Sequence, residues 1–552
     1  MSPEGPSSSD LPTDDSARAF VRNTAVMTVG TALSRTTGFL RLAAMAYAIG
    51  VTESRLPDAY NIANITPNIL YELALGGILT AVVVPVVVEW LQERGRDEAW
   101  EVVRRLVTLA IVVLSALTVL GIVFAPLIVD LYTSGVPGED QAIVREYATF
   151  FLRWFMPQIV FYGVGAVAIG LLQAHRRFAA PMFAPILNNV IVIATFLMFA
   201  AMPGPSPGSG ALATTAQRYV LAIGTTAGVA AMTLALWPAV RATGFRFSWR
   251  TGLWSHEAVT RIARLATWVA AYVAANQAAL LVVIVLADRI EGGYTAYAAA
   301  FILFQLPHAI FAVSIFSALL PAMSGRWADG DVDGFRRLLS QGIRATAAIV
   351  IPAALGYLVL ARPIVRLLLE HGVTTPSSGD LVADVLVGFS VGLFPFSAFQ
   401  LLLRAYYAMQ NTRTPALVNL AAVAINVAAD LVLFFGADLG VQGLALGHAI
   451  SYGFGSVALL LLIRRRLRGI DGARVLGTVG RTLLAGAATA ATAWLVARWL
   501  GTTVGTATLT EQSLQVFTAI ASGVAVFVAA STVMRIEEVD AVRRHLAARW
   551  RR

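Results

Sequence analysis

Two arginines inside a hydrophobic run are the residues of this sequence best placed to do chemistry. The run Thr24–Gly50 reads TAVMTVGTALSRTTGFLRLAAMAYAIG and is long enough to cross a bilayer as a helix. Arg35 and Arg41 lie within it. At about 1.5 Å of rise per residue, Arg35 falls roughly 16 Å from the start, near mid-membrane. A guanidinium at a helix centre costs on the order of 2.5–3.5 kcal/mol on insertion scales. That cost is tolerable where the side chain points into a water-filled cavity and binds an anion. Arg41, six residues on, has the alternative of reaching outward to the interface; Arg35 is too deep for that.

Polar residues elsewhere in apolar stretches supply two further candidates. Asp58 opens LPDAYNIANITPNILYELALGGILTAVVVPVV, a run interrupted by Pro67, Gly76–Gly77 and Pro85. Such breakers are tolerated in a membrane where neighbours or cavity water satisfy the freed backbone groups, as in the moving helices of transporters. Asp58 reads either as a functional acid at the mouth of this span or as an interfacial acid capping a helix start. Asn426 and Asp430, in AINVAADLVLF, are spaced i, i+4 and share a helix face. A carboxylate and an amide oxygen in an apolar span suit sodium or a proton relay. The plainer reading is that Asp430 sits at the helix end and faces water. His175, His256, His308, His371 and His448 are scattered, with no metal-ligand spacing, and no nucleotide-binding loop is present. The expectation is therefore no enzyme, no cofactor beyond a coupling cation, and no nucleic-acid partner.

The elements that position these groups are membrane helices. Of 552 residues, 57% are hydrophobic and only 13% charged, against about 25% charged in soluble domains. Cysteine is absent, which excludes disulfides, thiolate metal sites and cysteine catalysis, and every one of the 41 basic residues is arginine. Residues 1–19 are rich in Ser, Pro and Asp and read as a disordered cytoplasmic tail, with no cleavable signal. About fourteen spans follow, with cores near 24–50, 62–90, 105–129, 149–172, 181–202, 218–240, 262–287, 296–321, 343–368, 382–409, 416–436, 441–463, 480–500 and 513–534.

Every second loop is basic, as at Arg94–Arg105, Arg176–Arg177, Arg241–Arg250, Arg326–Arg337 and Arg464–Arg468, while those between carry Glu53 and Asp58, Asp130 and Asp140, Asp288 and Glu291, Glu370 and Asp380, and Glu511. That alternation puts both termini in the cytoplasm. GGILTAVVVPVVVEW and SIFSALLPAMSGRW, and the segments Ala174–Pro181 and Ala408–Pro415, recur six spans apart. An even offset makes parallel repeats around a central site. The expected organisation is all-α: an N-lobe over 20–240, a C-lobe over 241–468 in pseudo-twofold relation, two extra spans over 469–535, and a basic cytoplasmic tail, 536–552.

In this order, several motifs resemble a known family: Ser34-Arg35-x-x-Gly38-Phe39-x-Arg41, Asp58-Ala59, Pro67-Asn68, Arg177-Phe178-Ala179-Ala180-Pro181 with Phe183-Ala184-Pro185, Leu320-Pro321 with Ser324, and Thr412-Arg413-Thr414-Pro415. The chain from about Thr24 to Arg474 is similar to the MurJ/MviN-type lipid II flippases of the multidrug/oligosaccharidyl-lipid/polysaccharide exporter superfamily. The resemblance implies a flippase that moves the undecaprenyl-pyrophosphate-linked peptidoglycan precursor from the inner to the outer leaflet of a bacterial plasma membrane by alternating access. It implies a substrate-binding set of Arg35, Arg41, Asp58, Gly38, Asn68 and Glu72, and the lipid-linked precursor, membrane lipids and cell-wall synthesis machinery as partners. A guanidinium pairs with phosphate oxygens in a planar fork, as such a substrate requires.

The sequence also departs from the pattern. Leu42 stands where relatives often have an acid, and Tyr71-Glu72 where they have basic residues. Phe301-Ile302 replaces an Asp-Arg pair, and Gln305 an acid. Arg153 and Arg404 either compensate in the cavity or anchor the chain at the interface. The partner acid of the family's sodium site has no match, Asn276-Gln277 being the nearest polar pair. Alternatives are a cation-coupled small-molecule exporter, a flippase for another polyprenyl-linked saccharide, and a non-transporting scaffold. Buried arginines repel cationic drugs, and a scaffold has no use for Arg35 at mid-membrane.

Overall fold

In hydrocarbon the backbone can bond only to itself, so a chain this apolar must be helical or a closed barrel. The computed structural model describes residues 14–72, 96–138, 140–175, 177, 179–205, 211–250 and 273–540, and no strand occurs among them. The helices are α1 (Asp14–Ile49), α2 (Leu56–Tyr71), α3 (Arg96–Val123), α4 (Ala125–Tyr132), α5 (Asp140–Phe155), α6 (Gln158–Ala174), α7 (Ala179–Ala201), α8 (Thr215–Leu234) and α9 (Trp237–Arg241). They continue as α10 (Val273–Ala287), α11 (Gly293–Pro307), α12 (Val313–Ala328), α13 (Val332–Leu369), α14 (Pro376–Val391) and α15 (Leu393–Ala408). The last four are α16 (Arg413–Leu431), α17 (Gly440–Arg466), α18 (Gly472–Thr503) and α19 (Leu509–Val533).

Among the described residues, 10 helical segments are long and apolar enough to span a membrane, or 11 if α14 and α15, bent by 48°, count as one. These coincide with the spans expected at 105–129, 149–172, 181–202, 218–240 and from 296 onward. The second half of the second expected span, 73–95, and the beginning of the seventh, 251–272, lie outside the described residues, as do Gly76–Gly77, Pro85 and His256.

The chain divides into two compact units. One takes Met1–Met45, Ala63–Pro126 and Thr149–Val273; the other takes Ala46–Ile62, Leu127–Ala148 and Ala274–Arg552. Within the first, α7 and α8 approach so closely that a Cβ on Gly224 would stand 2.1 Å from Thr195 Oγ1. Small residues at such contacts are the rule in membranes, where close packing and not the expulsion of water holds helices together. The hydroxyls there return to the backbone: Thr195 donates to Ile191 O at 2.9 Å and Thr233 to Phe161 O at 2.9 Å.

In the second unit, α13 runs 38 residues through Pro352 and Pro363 and carries α18 and α19 on its side. Between Thr482 and Ala497 the buried positions of α18 (Thr482, Ala485, Gly486, Thr489, Ala490, Ala493, Ala497) follow the helical period and are all small. Leu360 of α13 packs with Ala493, Ala497 and Ala519. Polar contacts close one end: Arg344, 7% exposed, pairs with Glu537 at 3.2 Å and with Glu538, and Arg474 reaches Glu537 at 2.5 Å. Two π-helical turns, His308–Ala312 and Val432–Gly436, interrupt this unit's helices. The first follows Pro307, which has no N–H to give to the α-helical ladder.

This packing generates a prediction. A Cβ on Gly486 would lie 2.8 Å from Leu355 Cδ1 of α13, whereas one on Gly477 meets nothing within 4 Å. Gly486→Leu should destabilise the purified protein by about 1–3 kcal/mol through overpacking. Gly477→Leu should leave its thermal unfolding in detergent unchanged.

Candidate substrate site and the α1–α2 turn

In the first unit the structure gathers part of the expected set. α1 is one unbroken 36-residue helix, about 54 Å long, and Arg35 lies past its midpoint. Arg35 is exposed and makes no ion pair with any described residue. Arg41 is half-buried, and its charge faces the hydroxyl of Tyr162 on α6, which is also within hydrogen-bond reach of the Asn68 side chain. Asn68 further donates from Nδ2 to Asn64 O at 3.2 Å. The Tyr162 hydroxyl donates to Gln158 Oε1 at 3.4 Å, and its ring lies 5.8 Å from that of Tyr71. Glu72, next in the chain, is exposed.

Gly38 lies where α7 meets α1. Asn189 of α7 donates from Nδ2 to Ser34 O at 3.3 Å and to Thr37 Oγ1 at 3.0 Å, and a Cβ on Gly38 would lie 3.6 Å from that nitrogen. A Cβ at that distance would make an ordinary van der Waals contact, so the tether that Asn189 places beside Arg35 rests on its hydrogen bonds and does not require a glycine. Tyr162, Gln158 and Asn189 carried no signal in the sequence. Each is a polar residue in an apolar run with nothing in its spacing to mark it. Arg153 is exposed, and Arg404 lies 5.7 Å over the Phe316 ring, the stacking of an anchor.

Asp58 has a different setting, within the second unit. It is fully buried and caps the beginning of α11: Gly292 N–H donates to Oδ2 at 2.7 Å, and the Thr295 N–H and hydroxyl donate to Oδ1 at 3.2 and 2.8 Å. An anion at a helix N-terminus satisfies amides that lack an intrahelical partner. Here the helix capped is a distant one in sequence, not α2 itself. Gly292 has φ of 68°, and a Cβ there would stand 2.3 Å from Val51 O, so only glycine fits.

Arg55, 5% exposed, binds this corner together. It reaches Asp58 Oδ2 at 3.8 Å, Asp140 Oδ2 at 3.3 Å and Asp288 O at 3.2 Å. Its position three residues before Asp58 was legible in the sequence; its burial was not. The Asp288 carboxylate, 0% exposed, has no hydrogen-bond partner for either oxygen among the described residues. Burial, and then the charge of Asp58, push its pKa up to about 8, with Arg55 pulling the other way.

A second anchor holds the same turn. Glu53 accepts from Val51 N–H at 2.6 Å, Thr52 N–H at 3.1 Å, Thr375 N–H at 2.6 Å, the Thr375 hydroxyl at 2.9 Å and the Ser378 hydroxyl at 2.5 Å. Burial opposes its ionisation, but the bonds from Ser378, Thr375 and Val51 win and hold its pKa below the usual value. Val373 N–H also donates to Tyr47 O at 3.2 Å, and the Thr374 hydroxyl to Ala46 O at 2.7 Å. The end of α1 is thereby tied to the beginning of α14.

Asn426 and Asp430 do meet on α16. Asn426 Nδ2 donates to Asp430 Oδ1 at 3.1 Å, and Asp430 is fully buried with Oδ2 lacking a hydrogen-bond partner among the described residues. A water-facing aspartate is thus not what the fold builds. A Cβ on Gly447 of α17 would stand 2.0 Å from Asp430 Oδ1. Asn276 pairs instead with Asn419 at 3.5 Å, two turns away on α16. No group of three His, Asp or Glu among the described residues is arranged to hold a metal ion. His308 bonds Ser397 Oγ at 2.9 Å and packs on Phe396 in the core.

Comparison with known proteins identifies the fold and the lineage. Residues 45–514 match the family model described as Lipid II flippase MurJ. The chain belongs to the MurJ family. A probable lipid II flippase MurJ of Rhizobium meliloti (strain 1021) is 28% identical over 530 residues, covering 95% of this chain and 96% of the relative. The lipid II flippase MurJ of Burkholderia cenocepacia is 28% identical over 451 residues, covering 80% and 84%. A solved lipid II flippase MurJ in an inward closed conformation shares the fold, with a TM-score of 0.73 at 20% identity over 92% of this chain and 98% of that one. A multidrug resistance MATE family transporter of the MOP superfamily gives 0.62 at 14% identity over 78% and 94%. The membership of the MurJ family expected from the sequence is thereby shown, as is a multi-pass membrane protein whose described residues form helices and no strand.

The buried acid sets a pH dependence. The folded protein keeps a proton on Asp288 that the unfolded chain releases near the ordinary carboxyl value of about 4. The folded state therefore binds more protons between that value and about 8, and stability falls as pH rises through this window. Asp288→Asn should raise the melting temperature at pH 8 and flatten its slope between pH 5 and 8. An unchanged slope in detergent unfolding would contradict this account of the corner.

Proposed function

We propose that the chain carries the undecaprenyl-pyrophosphate-linked peptidoglycan precursor, lipid II, from the inner to the outer leaflet of the bacterial plasma membrane by alternating access. One observation carries the reading beyond membership of the family. Arg35, deep in a membrane helix, is exposed and unpaired among the described residues, and only water and an anionic substrate offset that charge. The protein is a transporter, so no bond in the substrate is made or broken.

The chain's own residues supply recognition. Arg35 and Arg41 offer guanidinium forks to the pyrophosphate. The Tyr162 hydroxyl, in reach of Asn68, faces the charge of Arg41, and Asn189 tethers the helix beside Gly38. Glu72 faces the hydrated part of the substrate. Asp58, buried in its cap, acts on the conformation of the turn and not by touching substrate. Lobes over 20–240 and 241–468, with 469–535 outside them and both termini in the cytoplasm, complete the arrangement; the alternating arginine loops support that orientation. The arginine-rich loops and basic tail offer docking points to cell-wall synthesis machinery, and the tail is a surface anchor on anionic lipid.

Coupling to a monovalent cation, sodium or a proton, is carried by Asp430. Its buried Oδ2 lacks a partner among the described residues, and a cation would supply one. Asp430→Asn should weaken flipping while leaving membrane insertion intact. Transport unaffected by that substitution and by replacing sodium would reject the cation.

The central test is complementation of a depleted strain, with leaflet-resolved measurement of the precursor and membrane protein levels followed alongside. Arg35→Ala should fold normally and lose roughly 1.5–3 kcal/mol of substrate recognition, the scale of a charged hydrogen bond. Arg35→Lys keeps the charge without the fork and should recover only part of the activity. Arg41→Ala should follow Arg35→Ala less severely. Full growth with Arg35→Ala at normal expression would refute the proposal.

A further inference from the structure

One strongly charged feature lies outside the transport site. Where α17 ends, Leu461, Arg464, Arg465, Arg468 and Gly469 line a cleft of about 360 Å³. Three guanidinium side chains thus share one small space, and none of the three forms an ion pair with a described residue. The neighbouring basic residues are already engaged: Arg466 lies 5.5 Å over the Trp327 ring, and Arg336 pairs with Asp333 at 2.5 Å. Arg464 and Arg468 are four residues apart, a spacing at which like charges repel.

The backbone holds this arrangement. Gly469 N–H donates to Arg464 O at 2.9 Å and Arg468 N–H to Arg465 O at 3.3 Å, folding the chain back over the helix end. This closure puts Arg468 at φ of 54°, the left-handed region that glycine occupies without strain and a long side chain does not. Topology and the helix dipole ask only for positive charge near this end. They ask neither for convergence on one cleft nor for an arginine in that conformation.

The surface below the cleft identifies the ligand's other half. Ile450, Phe454, Val457 and Leu461 are 48, 40, 55 and 51% exposed, and their spacing of four, three and four puts them on one face of α17. An apolar ridge running up a membrane helix into three arginines matches a molecule with an acyl chain below and a phosphate above. We propose that the end of α17 is a binding site for an anionic phospholipid, whose phosphodiester sits among Arg464, Arg465 and Arg468 and whose chain lies along Ile450–Leu461. Guanidinium forks suit phosphate oxygens, and basic pockets at the membrane face bind such headgroups. The site is separate from Arg35 and Arg41 and stands whether or not the transported substrate is the one proposed.

The test uses the full chain in phosphatidylcholine nanodiscs with and without phosphatidylglycerol, extracted into detergent. Native mass spectrometry then counts the phosphatidylglycerol retained. Changing Arg464, Arg465 and Arg468 together to Gln should cut retention about tenfold, equivalent to about 1.4 kcal/mol. The control pair Arg241→Gln with Arg498→Gln, exposed arginines elsewhere, should retain lipid as the wild type does. Arg468→Gly relieves the backbone, so it should fold at least as stably and still retain less lipid; it decides the matter if the triple variant fails to fold. Equal retention by wild type and Arg468→Gly would overturn the proposal. So would displacement of the lipid by millimolar inorganic phosphate, which would make the cleft a site for soluble anions.

Discussion

A peptide group in hydrocarbon has no water to bond, and this constraint governs the architecture. It makes every described span helical and turns each break in the helical ladder into a feature the surroundings must resolve. Pro307 deprives α11 of a donor, and the π-helical turn His308–Ala312 absorbs the slip. The first amides of α11 would be orphans in a dry corner, and the carboxylate of Asp58 takes them. Ser and Thr hydroxyls along the spans return to carbonyls one turn back, as Thr118 does to Leu114 O at 2.8 Å. The polar inventory of the membrane-embedded chain is thus largely spent on the backbone. Groups left over are conspicuous for that reason.

The chain treats its deep charges in two opposite ways. Asp58 is removed from solvent and surrounded by donors, and Arg55 beside it reaches on to the exposed Asp140 and to the backbone of the buried Asp288. Such burial is costly unless the geometry is complete, and it is incomplete at Asp288, where the proton must supply what hydrogen bonds do not. Arg35 of α1 is left open. An unpaired guanidinium that faces water instead of a carboxylate is free to bind an incoming anion, because no internal partner must first be displaced. The first arrangement builds a structure; the second keeps a capacity.

Much of this was legible in the sequence because lipid imposes a simple code. The long apolar runs and their arginine-marked ends located the spans, and Arg35 and Arg41 stood out as charges with no cheap location. The motifs around them carried the family. What remained hidden was tertiary. That Asp58 would cap α11 depends on Gly292 having no side chain at a contact between segments 234 residues apart. The environment of Arg41 depends on Tyr162, one tyrosine among 14, which no periodicity distinguishes. Asp430 is the intermediate case: spacing alone tied it to Asn426, but only the close approach of Gly447 on α17 explains why it is buried.

The connectivity of α1 and α2 bears on how substrate binding could act on conformation. The stretches carrying Arg35, Arg41 and Asn68 belong to one compact unit, and the turn joining the two helices, with Glu53, Arg55 and Asp58, belongs to the other. A ligand can shift a conformational equilibrium only by as much as its affinity differs between the two states. An anion at the arginines therefore has leverage only if the helices that present them are held differently in each state. The turn supplies a set of bonds of the kind that can be made or broken as a whole: five to the Glu53 carboxylate and three to Asp58. Bonds to a charged acceptor left dry and unpaired are expensive to lose one at a time, which favours two discrete arrangements over a continuum. The acids of this turn thus hold the end of α1 and the beginning of α2 through a set of bonds that stands or falls together.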